Sequence, residues 1–370
     1  MERAPLKGRV SPGLKMKPYR LKKEKPKSRT PGKESRMKVL IANREETTRL
    51  MPMDACIDSM EDALRLLDQG DAVMPLRQML ALPDSKNILA LMPAHLGGIG
   101  SVGVKVITIF PGNHGTEYDS HQGAVLLFDT EHGRLQAIVD GTAVTAIRTA
   151  AVSGAATRHL ARPDASDLAI IGSGTQAGTH LEAMLTVREI RRIRIFSRST
   201  ARADAFAATA EKKFGRAVEV IKTAKAAVEG ADIICTTTAA HAPVVMGDWI
   251  SPGAHINAVG AYQPHTRELD TAAVAGARLY VDRLESALRE AGEFIIPRNE
   301  GVIDTNHIIG ELGALLSGRI PGRQSPRDIT LFKSLGIAVE DLAAARLILD
   351  QALKKNIGTF VDFGGGESAA

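Results

Sequence analysis

The sequence predicts an α/β protein: a doubly wound parallel sheet joined to a discontinuous α+β domain that the chain leaves and later re-enters. Three observations carry this reading. After Arg162-Pro163, short apolar runs of strand length alternate with helical periodicity, the pattern of a parallel sheet with crossover helices. Upstream, between 76 and 139, strand-like runs follow one another through turn signals with no helix among them, as in an antiparallel sheet. Downstream, one long amphipathic stretch stands by itself near the C-terminus; it is too little for a domain of its own and is expected to pack back on the first.

Taken in order, Lys38–Ala42 reads as a strand, and Asp54 opens a helix whose Ile57, Met60, Leu64 and Leu67 recur at helical spacing until Gly70 stops it. Leu76–Leu82, Ile88–Met92, Val102–Phe110, Ala124–Asp129 and Leu135–Val139 are strands separated by Pro-Asp, Gly-Gly, Pro-Gly-Asn and Glu-His-Gly turns. A helix rich in small residues runs from Thr142 to about Leu160. Then come a buried strand at Leu168–Ile171, a helix at Gln176–Val187, a strand at Ile193–Phe196, a helix at Arg202–Phe214, and strands at Ile233–Thr237 and Ile256–Val259. Ile337, Leu342, Ala345 and Leu349 form one face of the terminal helix. The expected plan is an extension at 1–36, a first domain at 37–160 completed by 335–370, and a second at 161–334.

Composition narrows the class. The 370 residues, 44% hydrophobic and 24% charged, suffice for two domains with a core in each. Cys56 and Cys235 are too few for a disulfide framework and fit no metal-ligand spacing, which points to a reducing compartment, the cytoplasm by default. No apolar run approaches the roughly 18 to 20 residues of a membrane span, and a signal peptide's apolar core is missing, so a soluble protein with no membrane partner is expected. The net charge of +5 is unevenly placed: residues 1 to 38 carry +11 and the remainder −6. That head, rich in Pro, Lys and Arg and without periodicity, is expected to be disordered. It is either a basic arm for RNA or membrane lipid, or sequence ahead of a start at Met37. With one Trp and 4% aromatics, stacking platforms for nucleic acid are scarce, and none is expected as a partner.

Gly172-Ser173-Gly174-Thr175-Gln176-Ala177 fits G-x-G-x-x-[G/A] between a predicted strand and a predicted helix. In that context the glycines permit a tight turn and bring backbone N–H groups to a pyrophosphate at the helix N-terminus, the Rossmann arrangement. An NAD site usually places Asp or Glu at the end of the next strand; here the chain reads Ser197-Arg198-Ser199, with Arg202 one turn on. A guanidinium among hydroxyls suits a 2′-phosphate, so NADP is preferred over NAD. The alternative for Arg198 is a solvated loop charge. Thr237, at the end of its strand, is a further cofactor candidate, whereas Cys235 reads as core.

Three cations stand where solvation alone does not explain them. Lys105 shares a strand face with Ile107 and Ile109, Arg148 lies among small helical residues, and Arg77 opens a strand. Each needs an anion: a substrate carboxylate gripped by all three, or an internal Asp or Glu for each. His95, His114 and His121 lack ligand spacing, and no metal is expected.

Pro75-Leu76-Arg77, Gly103-Val104-Lys105, Asp140-Gly141-Thr142 through Ile147-Arg148-Thr149-Ala150-Ala151, the Gly172 motif and Ile329-Thr330-Leu331-Phe332-Lys333-Ser334 resemble the ornithine cyclodeaminase / mu-crystallin family from Met37 to about residue 360. The resemblance implies a homodimer whose first domain, with the C-terminal helix, forms the dimer interface and the substrate pocket, a Rossmann domain lying between. It also implies that Arg77, Lys105 and Arg148 hold the substrate carboxylate. Lys105 and Arg148 are the catalytic candidates, Lys105 because burial beside arginines would lower its pKa and let it manage the imine proton. One stretch departs. Where the cyclodeaminases carry Gly-Gly-Asp-Cys-Pro-Gly-Lys, this chain reads Gly260-Ala261-Tyr262-Gln263-Pro264-His265-Thr266, so Tyr262 replaces the Asp that handles the substrate's amino groups. A phenol is a poor base for an ammonium at neutral pH, and the version followed by Arg267-Glu268-Leu269 is similar to members that reduce imino acids. The implied activity is an NAD(P)H-dependent reductase of small α-imino acids such as Δ1-pyrroline-2-carboxylate or Δ1-piperideine-2-carboxylate, giving L-amino acids. The alternatives are an ornithine cyclodeaminase making L-proline and ammonia, an alanine dehydrogenase, or a non-enzymatic mu-crystallin-like binder.

Overall fold

Strand pairing sorts the chain into two eight-stranded sheets. The computed structural model describes residues 38–83, 86–113 and 116–363; the basic head 1–36 and His114 lie outside the described residues.

The first sheet holds β1 (Lys38–Ala42), β2 (Ala72–Val73), β3 (Gln78–Ala81), β4 (Ile88–Leu96), β5 (Ser101–Ile109), β6 (His121–Asp129) and β7 (Leu135–Asp140), with α1 (Arg44–Leu50), α2 (Met53–Asp68) and α3 (Gly141–Leu160) between or after them. The antiparallel meander from β3 to β7 follows the expected turns, but β1 joins β7 in parallel. The strand expected from Leu76 starts instead at Gln78, because Arg77 turns away to two carbonyls, Leu335 O and Gly336 O, each at 3.1 Å. The strand expected to stop at Met92 continues through Pro93 to Leu96. Proline is tolerated there because β3 pairs with β4 only as far as Leu91 and β2 begins at His95, leaving Pro93 without a ladder partner on that side. The unpredicted α1 has a complete capping box between Asn43 and Glu46, a signal present in the sequence.

After α3 come β8 (Asp167–Ile171), α4 (Thr175–Val187), β9 (Arg192–Phe196), α5 (Thr200–Phe214), β10 (Glu219–Val220), α6 (Ala224–Val228), β11 (Ile233–Thr236), β12 (His255–Ala258), α7 (Thr271–Ala275), β13 (Arg278–Val281), α8 (Leu284–Glu290), α9 (Gly292–Asn299), β14 (Ile308–Glu311), α10 (Leu312–Leu316) and β15 (Thr330–Lys333). All pair in parallel in the order β10-β9-β8-β11-β12-β15-β13-β14, so the direction of winding reverses between β8 and β11. Ligands of such sheets bind outside the carboxyl ends of the strands at that reversal. The strands β11, β12 and β15 are buried throughout.

The chain then returns to the first sheet. α11 (Ala338–Lys355) packs on α2 and across β4, β5 and β6, and β16 (Thr359–Asp362) closes the edge beside β1. Gly103 lets the helix approach: a Cβ there would lie 3.0 Å from Leu342 Cδ1 and closer still to the Leu126 carbonyl. α3 lies between the sheets, touching α2 and α4, and its Gly154 leaves room for Ile57. Among the described residues no helix is long and apolar enough to cross a membrane.

Candidate active site

The glycine loop sits between β8 and α4 as its motif requires. Gly172 has φ +116°, and a Cβ on it would lie 2.8 Å from the Thr237 carbonyl, so the loop closes only with glycine. Gly174 has open space where its Cβ would be and caps α4 without a side-chain hydrogen bond, leaving the Thr175 and Gln176 N–H groups for an anion while the Ala177 N–H donates to the Gly174 carbonyl. Ser173 and Ser197 meet through their hydroxyls at 2.9 Å, and the Thr237 N–H and hydroxyl both donate to the Ile171 carbonyl, at 2.9 and 3.2 Å. The residues therefore fit the pyrophosphate of a dinucleotide. Ser199 caps α5 by accepting from the Arg202 N–H, and Arg198 and Arg202 are exposed, with no ion pair among the described residues.

The second group of candidates converges on the start of α11. Lys105, on β5, and Arg148, on α3, are 2% and 3% exposed, and both donate to one carboxylate oxygen, Asp341 Oδ1, at 3.1 and 2.9 Å. Arg148 also donates to Glu340 Oε2 at 2.7 Å. Arg77 pairs with Glu290 at 3.0 Å as well as with the Leu335 and Gly336 carbonyls. Of the two readings of the cations, the structure shows internal counter-ions. These carboxylates were not legible in the sequence because they arrive from α8 and α11, each more than 190 residues along the chain from the cation it pairs with; the one available signal was a Glu-Asp pair inside the apolar face of a terminal helix.

The pairing is incomplete as a charge balance. Burial first, and then the Asp282 and Asp341 carboxylates, push Glu340 up to about 8 against the pull of Arg148. Raised in this way, Glu340 balances the cations less fully than an ordinary carboxylate would, and Asp341 is the acceptor that Lys105 and Arg148 share. Burial pulls Lys105 down to about 8, with Asp341 opposing and Arg148 assisting. Removing the Asp341 charge must lower Lys105 further. Asp341→Asn is therefore expected to move the alkaline limb of kcat/KM to lower pH, since that limb reports the free enzyme; a limb that stays in place would disconnect Lys105 from the rate.

A small cleft borders the cluster, lined by Met74, Leu76, Arg77, Met92, Ser286 and Ile337 among others; Met92 is directly opposite Lys105 across the β4–β5 ladder. Tyr262 is half-buried close to Arg77: burial raises its phenol above the ordinary range and the Arg77 charge opposes. The structure also links the two groups, as Gln176 at the start of α4 donates to the Thr145 carbonyl of α3 at 3.4 Å, one helical turn from Arg148. Cys235 is core, its thiol pushed up to about 12 by burial, and burial likewise raises Cys56. Among the described residues no group of His, Cys, Asp and Glu is placed to hold a metal ion.

Comparison with known proteins agrees over residues 37–356. A profile of the ornithine cyclodeaminase/mu-crystallin family matches residues 37–356. The Δ1-pyrroline-2-carboxylate reductase of Bacillus cereus is 36% identical over 326 residues, 88% of this chain and 100% of the relative. The Thermococcus litoralis Δ1-pyrroline-2-carboxylate reductase, solved in complex with NADH and L-proline, superposes with a TM-score of 0.85 at 39% identity, covering 87% of this chain and all of that one. An archaeal alanine dehydrogenase, solved as a dimer with bound NAD, superposes with a TM-score of 0.83 at 34% identity, over 89% and 100%. On these motifs, this fold and this full-length similarity, the chain belongs to the ornithine cyclodeaminase/mu-crystallin family.

Proposed function

We propose that the chain reduces small cyclic α-imino acids, Δ1-pyrroline-2-carboxylate or Δ1-piperideine-2-carboxylate, to L-amino acids with a nicotinamide coenzyme. The observation that carries this reading is the sharing of one carboxylate oxygen by two buried cations, Lys105 and Arg148, beside a cleft that Arg77 also borders. Such a cluster gathers three cations that a substrate carboxylate can engage by sharing or displacing their internal acceptors. The full-length similarity to relatives named as Δ1-pyrroline-2-carboxylate reductases supports the same conclusion.

In this scheme the Gly172–Ala177 loop, with Ser197, Ser199 and Thr237 around it, holds the coenzyme, which supplies the hydride when bound. Arg77 and Arg148 orient the substrate carboxylate, and the partly dry setting makes that interaction stronger than it would be in water. Lys105, poised near 8, is charged at neutral pH and can hold or give a proton next to the imine nitrogen. Tyr262 closes the cleft near Arg77. Because burial raises its phenol, it serves still less well as a base for a side-chain ammonium, which disfavours ornithine cyclisation.

The test is a panel of imino and keto acids with NADPH and NADH, followed at the nicotinamide absorbance. Oxidation of the coenzyme with Δ1-pyrroline-2-carboxylate is expected. Ammonia release from L-ornithine without net coenzyme turnover would make the chain a cyclodeaminase, and turnover with pyruvate and ammonia an alanine dehydrogenase.

NADPH is the preferred coenzyme in this reading, although the solved relatives hold NADH and NAD. Support comes from the exposed, unpaired Arg198 between two serines where a carboxylate would otherwise stand. Arg198→Asp should weaken NADPH use and spare or improve NADH use; a wild-type preference for NADH would reverse the assignment.

We place the substrate-binding and dimerisation domain at 37–160 with 335–370 and the Rossmann domain at 161–334, in a cytoplasmic homodimer. While α2, α3 and α11 cover one face of the first sheet, the other presents Leu91, Val102, Val104, Val106, Leu126 and Phe128 half-exposed or exposed, with Val104 opposite Leu126 and Val102 opposite Phe128. An open apolar face of this kind is an association surface, and a second copy of the chain is the occupant that matches the dimeric relative. Val104→Asp combined with Leu126→Asp should halve the mass measured by light scattering at micromolar concentration. An unchanged mass would put the interface elsewhere.

A further inference from the structure

A second group of buried charges lies under the carboxyl ends of β11, β12 and β15, and the scheme above leaves it without a role. Glu268, Glu293 and Lys333 are all fully buried. Glu268 uses both oxygens. Oε2 accepts from the Thr236 hydroxyl at 2.8 Å and the Gly260 N–H at 2.6 Å; Oε1 accepts from the Thr238 N–H at 2.6 Å and the Thr238 hydroxyl at 2.7 Å. Its own N–H donates to Glu293 Oε1 at 2.9 Å. Glu293 pairs with Lys333 at 3.1 Å, and the Lys333 ammonium also donates to the carbonyls of Ala258 and Ala261.

The location decides what this network can do. Thr236 ends β11 and Thr237–Thr238 follow it, while Val259–Tyr262 follow β12, so the four acceptor contacts of one carboxylate tie together the two segments leaving neighbouring strands. Those loops are already in contact, since a Cβ on Gly260 would fall 2.0 Å from the Thr238 carbonyl. The first of them also abuts the glycine loop, through the Thr237 N–H to the Ile171 carbonyl, and the second carries Tyr262, which lies close to Arg77. Burial and the neighbouring Glu293 raise the Glu268 acid above its ordinary range, with Lys333 and the Thr238 bonds opposing, and a buried carboxyl group of this kind gives little net stability over an apolar core of the same volume. Four acceptor contacts spent on two loops do, however, hold those loops at one separation.

We propose that Glu268 is a positioning residue for the nicotinamide half of the coenzyme. It clamps Thr236–Thr238 to Gly260–Tyr262, and thereby fixes the crevice wall between the glycine loop and the substrate cleft; Lys333 braces the second loop from below. The proposal rests on the dinucleotide-binding reading of the chain. The adenosine half, held at Ser197–Arg202 on the far side of the loop, does not depend on it.

Glu268→Gln tests it, because a carboxamide presents an NH2 group to one of the two donor pairs and cannot accept there. Calorimetric titration with ADP-ribose, NADH and NADPH separates the two halves of the site. The expected result is ADP-ribose binding within twofold of wild type, affinity for the favoured dinucleotide weaker by about tenfold, and kcat with Δ1-pyrroline-2-carboxylate lower by about 100-fold, the scale of an ångström-sized misplacement, at a KM changed less than threefold. Thr238→Val, which removes one hydroxyl donor and keeps the N–H bond, should move the same quantities in the same direction by less, and it decides the matter if Glu268→Gln does not fold. Equal weakening of ADP-ribose and dinucleotide in the folded variants, or no change in either, overturns the proposal. A wild-type chain that binds ADP-ribose and neither dinucleotide overturns it too, and takes the functional reading with it; dinucleotide binding without turnover of any imino acid removes the substrate assignment alone.

Discussion

Lys105→Met is expected to fold, bind dinucleotide and lose about 2 to 5 kcal/mol of transition-state binding, which is about 30-fold to several thousandfold in kcat/KM. The thioether chain fills the volume of the lysine stem, and Asp341 keeps its bond to Arg148, so the fold survives the change. Arg148→Ala should cost as much activity and, in addition, stability. It strips Glu340 of its partner and leaves Asp341 with Lys105 alone, and breaking a buried pair from one side typically costs about 3 to 5 kcal/mol. Arg148→Lys should be harmful as well, because an ammonium cannot reach both Glu340 and Asp341 as the fork does. Melting temperature, dinucleotide affinity and kcat/KM measured together separate these losses. Near wild-type turnover of imino acids by both Lys105→Met and Arg148→Ala would make the two cations structural and end the carboxylate clamp.

Gly336→Ala should produce a loss of comparable size from a single methyl group. Gly336 has φ +73°, and a Cβ there would lie 2.3 Å from Arg148 Nη1. The left-handed conformation alone costs a residue with a side chain roughly 1 to 2 kcal/mol. The loop cannot relax easily, since Asp282 Oδ2 accepts from the N–H groups of Leu335 and Gly336 at 2.6 and 2.8 Å, and Arg77 donates to both of their carbonyls. The methyl group must therefore push Arg148 off Glu340. The expected readout is a lower melting temperature and a steep fall in kcat/KM, with ADP-ribose binding, made by the other sheet, unchanged. A variant with normal kcat/KM would show that Arg148 can move without consequence.

The parts legible in the sequence are those whose signal is local. The glycine loop is readable because strand, turn and helix N-terminus lie within a few residues of one another, and the structure places Gly172 at the left-handed angle and close approach that the motif implies. The meander from β3 to β7 is readable from its turns. Arg77, Lys105 and Arg148 stood out because each is a charge in an apolar or small-residue context. Less legible were the pairing of β1, itself readable as a strand, with a partner about 97 residues away, the strand β16 with its partner about 320 residues away, and the insertion of β15 between β12 and β13. Those pairings are set by which edge remains open once the other strands have packed.

By itself the sequence determined the fold class, the dinucleotide loop, the three cations that lack a local reason to be buried, and the substitution of Tyr262 for a carboxylate. Only the tertiary structure decided what neutralises the cations: α11 returns to the first sheet and sets Glu340 and Asp341 against Arg148 and Lys105. It alone showed that Asp282 and Gly336 shape that cluster, that Glu268 joins two loops, and that one sheet face is left apolar and open. The physical reason is the same in each case. Periodicity and turn chemistry act over a few residues and are written into neighbouring letters, whereas the partner of a buried charge is whichever group the packed backbone brings within about 3 Å, however far away it lies along the chain.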